Sequence, residues 1–163
     1  MPKAKIIKMA SFNKLKNNLH GPNLVELMPW RSVIPSITTP MITAMGGKDI
    51  KGNRLSIGFA HIAKADEIGG PTHHHPHDQW IAMFGTSDNF VDFDADVEFT
   101  LDGKVYKINY PFYAFIPAGM PHCPLTVKRL GKPIIFMDAR LPEDKEEKAE
   151  KPALKKKPAA RKK

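Results

Sequence analysis

The stretch from Val97 to Ile108 reads as a hairpin whose register can be checked from the residues themselves. Its centre is Asp102-Gly103, a dipeptide whose residues tolerate the positive φ of a type I′ turn. With Leu101 opposite Lys104, Phe99 faces Tyr106 and Val97 faces Ile108 on one side, while Glu98 faces Lys107 on the other. One assumption thus yields an apolar face and a cross-strand ion pair, as a half-buried antiparallel pair requires. Other strand-length runs flank this hairpin. Arg54 to Ala63 alternates Leu55, Ile57, Phe59 and His61 with smaller residues; Gln79 to Phe84 ends at Gly85; Phe112 to Ile116 stops at Pro117-Ala118-Gly119; Leu125 to Leu130 and Ile134 to Ala139 follow. Short strands punctuated by turn residues, with no long amphipathic helix between them, predict an all-β sandwich or barrel. No internal repeat is found, so one barrel is expected rather than two.

The ends of the chain read differently. Residues 1–53 are basic and broken by Pro22, Pro29, Pro35 and Pro40, and are expected to form an irregular lead-in packed on a barrel spanning 54–142. Residues 143–163 are almost entirely Glu, Lys, Ala and Pro, too polar to bury a core, and are expected to be disordered. Within them Lys151, Lys155, Lys156, Lys157, Arg161, Lys162 and Lys163 carry seven of the eight net positive charges, so the rest of the chain is nearly neutral. Such a tail can neutralise phosphates without reading sequence, which makes nucleic acid a candidate partner beside the simpler role of a solubilising terminus. The single cysteine, Cys123, rules out an internal disulfide. That cysteine usage, with no secretory core and no apolar run near the ~18 residues of a membrane span, leads us to expect a cytoplasmic protein.

Four of the seven histidines fall in Pro71-Thr-His-His-His-Pro-His-Asp-Gln79. In an extended segment His73, His75, His77 and Gln79 share one side, while His74, Pro76 and Asp78 point away. Imidazoles spaced i, i+2 can both reach a divalent metal at about 2.0–2.1 Å. Some forty residues on, Pro117-Ala118-Gly119-Met120-Pro121-His122 presents another histidine after a turn.

This pair of motifs resembles the cupin superfamily, in particular its single-domain metal-binding members. His73-His74-His75 with Gln79 and Gly85 matches the first cupin motif, and Pro117-x-Gly119-x-x-His122 the second. The resemblance implies a small antiparallel β-barrel of the double-stranded β-helix or jelly-roll type. It also implies one divalent metal ion (Fe, Mn, Ni or Zn) held by His73, His75, Gln79 and His122. Pairing His75 with His77 is the alternative, but it leaves one residue before Gln79 where the family pattern has three; His77 is therefore placed beside the ligands, lining the pocket or orienting one of them. Isomerase, lyase, decarboxylase and dioxygenase chemistry are all implied, as is a module that holds metal or a small molecule without turnover.

Gln79 stands where the family usually has a carboxylate, so all four ligand side chains are neutral and the ion's charge favours an anionic small molecule. Arg54 or Arg140, if turned inward, would add a second positive contact. Trp80 and Phe84 lie on the strand face opposite Gln79, and their covering predicts a homodimer. Asp92, Asp94, Asp96 and Glu98 alternate as a solvated strand edge, preferred over a calcium site. Cys123, directly after His122, is expected to point away from the site.

Overall fold

A computed structural model describes residues 7–9, 15–32, 37–86 and 89–142. The runs read as strands are strands; Arg54 to Ala63 is trimmed to Ser56–Ile62, and three of the others are extended at one or both ends. The elements are β1 (Ile7–Met9), β2 (Asn18–Gly21), β3 (Leu24–Glu26), β4 (Trp30–Ser32), β5 (Ile42–Ala44), β6 (Ser56–Ile62), β7 (His77–Gly85), β8 (Ala95–Leu101), β9 (Lys104–Ile108), β10 (Phe112–Ile116), β11 (His122–Leu130) and β12 (Ile134–Pro142). Among the described residues there is no helix, and so none long and apolar enough to cross a membrane. The tail from residue 143, predicted to be disordered, lies outside the described residues.

Two antiparallel sheets carry the core. One has the order β10-β7-β12-β6-β5, the other β11-β8-β9. Alternate residues of each turn inward: Ile62, Ile81, Met83 and Phe136 from the first join Val97, Phe99, Leu125 and Val127 from the second in one buried cluster. This is the small antiparallel β-barrel, jelly-roll in type, that the sequence predicts. Removing a side chain such as Phe99 from water contributes about 1.5–3 kcal/mol, which is why alternation with period two decides the strand faces.

The β8–β9 hairpin has the predicted register throughout, from Leu101↔Lys104 to Val97↔Ile108. Asp102 and Gly103 take φ of 47° and 74°, the two positive values a type I′ turn needs. The other side of the hairpin differs from expectation. Glu98 makes its ion pair with Lys128 of β11, at 3.6 Å, because β8 is the central strand of its sheet and Glu98 has a neighbour on each flank. The acidic alternation faces the surface as expected, but from a central strand and the turn before it rather than from an edge, and it is paired: Arg129 reaches Asp94 and Asp96, each at 2.6 Å, and Lys132 reaches Asp92 at 2.7 Å. Exposed pairs of this kind contribute about 0–1 kcal/mol each.

The lead-in is more integral than an irregular wrapping. Its strand β5 joins the main sheet against β6. Trp30 exchanges backbone hydrogen bonds with Met41, and both side chains are buried in the core cluster with Leu15. A parallel pair, β1 with β4, and a small hairpin, β2 with β3, complete it.

Candidate metal centre

The two histidine motifs lie far apart in sequence and are stitched together by backbone. His73 N–H donates to His122 O at 3.0 Å and His122 N–H donates to His73 O at 2.9 Å, an isolated antiparallel bridge just ahead of β7. The Pro117–Gly119 turn is pinned from below. Gly119 N–H donates to His75 O at 2.8 Å, and Ala118 N–H donates to Asp78 Oδ1 at 2.9 Å. Gly119 has a φ of 82°, where a side chain would be strained. Asp78, pointing away from the pocket as parity requires, thus holds the turn that delivers His122.

The result is a triangle of imidazoles. Ring centroids are 4.8 Å apart for His73–His75, 4.5 Å for His73–His122 and 5.2 Å for His75–His122. His73 Nδ1–H donates to Pro71 O at 2.8 Å, and His122 Nδ1–H donates to Met120 O at 3.0 Å. A carbonyl only accepts, so Nδ1 is the donor in each ring, and in the neutral imidazole the lone pair then falls on Nε2, the tautomer a metal ligand needs. His122 is 1% exposed, and its Nε2 has no hydrogen-bond partner.

Gln79, on β7 and 6% exposed, lies in the same wall as the three rings. Its Nε2 donates to Asp138 Oδ1 at 2.8 Å, and its Oε1 is buried with no partner. His73, His75, Gln79 and His122 all line one cavity of about 370 Å³. Trp30, Met41, Ile57 and Phe136 supply apolar wall, and Asp138 and Arg140 of β12 add charge. The lead-in therefore builds part of the pocket. Among the described residues, Arg140 lines the cavity and Arg54, exposed on the approach to β6, does not.

Burial disfavours the protonated form at three of these rings. Burial, then the neighbouring His77, His73 and His122, push the His75 imidazole down to about 4. Burial also lowers His122 and, with Arg140 adding to it, His77. Neutral imidazoles close together are ligands, whereas protonated ones would repel one another.

The other candidates fall in different places. His77 stacks on His75 at 4.9 Å with an interplanar angle of 9°, outside the cavity wall, and its Nε2 is buried without a partner. It touches one candidate ligand and does not line the pocket. His74 is exposed. Cys123 departs from expectation: it lines the cavity, and its Sγ and the ligand nitrogens of His73 and His122 lie within 4.8 Å of one another. Strict alternation fails there because Cys123 has a φ of 75° and the β8–β11 register shifts between His122 and Leu125, so consecutive side chains reach the same side. Gly69 leaves room for the sulfur; a Cβ there would stand 2.5 Å from it. Burial, then Glu67, pushes the thiol up to about 11, which argues against a free thiolate nucleophile. Asp138 was missed in the sequence; its signal, a lone Asp amid the apolar run of β12, is visible only in retrospect.

No protein-family model matches the chain, and no curated protein matches it. Similar solved structures include a cupin protein from Bacteroides fragilis (10% identity over 64% of this chain and 78% of that one, TM-score 0.44). Others are KdgF from Halomonas (14%, 71% and 87%, TM-score 0.44) and an RmlC-like cupin from Shewanella frigidimarina (15%, 80% and 97%, TM-score 0.44).

Proposed function

We propose that this barrel is a metal-dependent cupin that takes a small anionic molecule at a divalent ion held by His73, His75, His122 and Gln79 Oε1. The observation that carries the reading is the pair of buried atoms without partners, His122 Nε2 and Gln79 Oε1, in the wall of one cavity. Leaving such an atom unpaired costs about 1–3 kcal/mol, and a cation answers both at once. Three imidazoles and an amide oxygen suit Fe, Mn, Ni or Zn. When bound, such an ion supplies Lewis acidity toward a carbonyl or carboxylate.

The chain's own residues shape what enters. A cavity of about 370 Å³ is at the small-molecule end of binding pockets. Its apolar wall takes a short hydrocarbon body, and the neutral donor set favours a negative end, which Arg140 would contact while paired with Asp138. Isomerase, lyase, decarboxylase and dioxygenase reactions, and ligand holding without turnover, all use sites of this kind. Calorimetric titration of metal-loaded protein with a series of short carboxylates tests the reading. Binding is expected to need the metal and to weaken about tenfold or more in Arg140→Gln at equal metal content, since a charge-assisted hydrogen bond contributes ~1.5–3 kcal/mol. Carboxylate affinity indifferent to both would reject it.

A homodimer belongs to the same reading, with its surface moved. Trp80 and Phe84 are partly covered from within the chain, by Phe115 at 5.4 Å and Phe90 at 5.5 Å between ring centroids. The apolar exposure passes outward to Phe115 (47%) and Tyr113 (63%) on the edge strand β10. Sedimentation at micromolar concentration is expected to give twice 18.2 kDa, and a monomer would contradict the dimer.

A further inference from the structure

Behind Gln79 stands a carboxylate that the two motifs do not predict. In the register of β12 on β7, Arg140 is the direct partner of Gln79 and Asp138 lies two residues along, opposite Ile81. The side chains of Asp138, Arg140 and Gln79 all face the cavity. Asp138 Oδ1 accepts from Gln79 Nε2 at 2.8 Å, while Oδ2 accepts from Arg140 Nε at 3.0 Å and from a second guanidinium nitrogen.

This chain has one consistent hydrogen-bond polarity. A guanidinium only donates and a carboxylate only accepts, so Arg140 fixes Asp138 and Asp138 in turn demands the NH₂ end of Gln79. The oxygen end is then left facing the cavity, buried and without partner. A glutamine amide has two orientations of nearly identical shape, and only one of them offers a metal a lone pair. We propose that Asp138 is the positioning residue that sets the orientation of the Gln79 amide, and that glutamine stands at position 79 because a glutamate there would meet Asp138 carboxylate to carboxylate. The site's negative charge has in effect moved one residue outward, where Arg140 neutralises it. The inference rests on the metal reading given above.

It reverses a simple expectation. Gln79→Glu adds a charged ligand and by ligand charge alone should tighten metal binding, yet here it also places two carboxylates within hydrogen-bond distance, a repulsion that low-dielectric surroundings strengthen. Replacing Asp138 by asparagine resolves the conflict in one background and creates one in the other. Arg140 takes the asparagine oxygen, so the asparagine NH₂ turns to position 79. Glutamine there must present its own oxygen to that NH₂ and its nitrogen to the metal, whereas glutamate accepts the new donor and keeps an oxygen free.

The test is a double-mutant cycle on Zn(II) and Mn(II) affinity, measured by competition with a chromophoric chelator in the original chain, Asp138→Asn, Gln79→Glu and the double variant. All four are isosteric at both positions. Asp138→Asn is expected to weaken binding about 10- to 100-fold with Gln79, the range typical of groups that orient a metal ligand, and to strengthen it with glutamate at 79. A change of the same sign in both backgrounds, or none with Gln79, overturns the inference while leaving the metal centre standing. Failure of all four proteins to bind either ion overturns the metal centre and the inference with it.

Discussion

His122→Ala is expected to yield a folded barrel that no longer holds metal. His122 is the hinge of the site: it belongs to the second motif, its ring centroid is within 5.2 Å of both other imidazoles, and its Nε2 is one of the two partnerless buried atoms that line the cavity. The bridge to His73 is made by backbone, so alanine keeps the hydrogen bonds that position the strand. What is lost is one of four donors. Metal content after dialysis should fall from one ion per chain to less than about a tenth of that, since even groups that only orient a ligand are worth 10- to 100-fold in affinity. His77→Ala, which removes a ring stacked outside the cavity, should retain metal at full occupancy. If the alanine at 122 keeps stoichiometric metal while the alanine at 77 loses it, the ligand set is wrong and His77 belongs in it.

Trp30→Ala is expected to destabilise the protein by about 3–5 kcal/mol, the range for truncating a buried aromatic side chain. Trp30 is 5% exposed, sits in the main cluster, and donates from Nε1 to Thr43 Oγ1 at 3.1 Å. Alanine leaves a void continuous with the ligand cavity and takes away a partner of a buried hydroxyl. For a chain of this size the melting temperature should drop by roughly 6–20 °C, at about 2–4 °C per kcal/mol. Metal stoichiometry should be unchanged, because all four donors belong to the barrel, at positions 73, 75, 79 and 122, and none to the lead-in. A loss under about 1 kcal/mol in urea denaturation would mean that residues 15–53 merely lie on the barrel.

How far the sequence discloses this molecule depends on the kind of signal involved. The β8–β9 register was legible because turn chemistry and alternation agree, and nothing in the hairpin competes with them. That His73, His75, Gln79 and His122 would share one cavity wall was legible only through the paired motifs; parity by itself puts His77 with them, and the structure places that ring outside the wall. Cys123 was misread because alternation presumes a regular strand, and a positive φ with a bulge breaks that premise at this residue. Asp138 was invisible, since its role comes from lying next to a strand 59 residues away in sequence. The lead-in was unreadable for a plainer reason: strands of three or four residues are too short to show a period. Its contribution to the core and pocket comes from Trp30 and Met41, whose burial no local pattern announces.

The central claim, a divalent ion on three histidines and one glutamine, is tested most directly by elemental mass spectrometry of protein purified without a histidine tag or chelator and then exposed in turn to Fe(II), Mn(II), Ni(II) and Zn(II). The account predicts one ion per chain, retained through gel filtration, from at least one of these metals. A chain that emerges from every such exposure with no bound metal would contradict it.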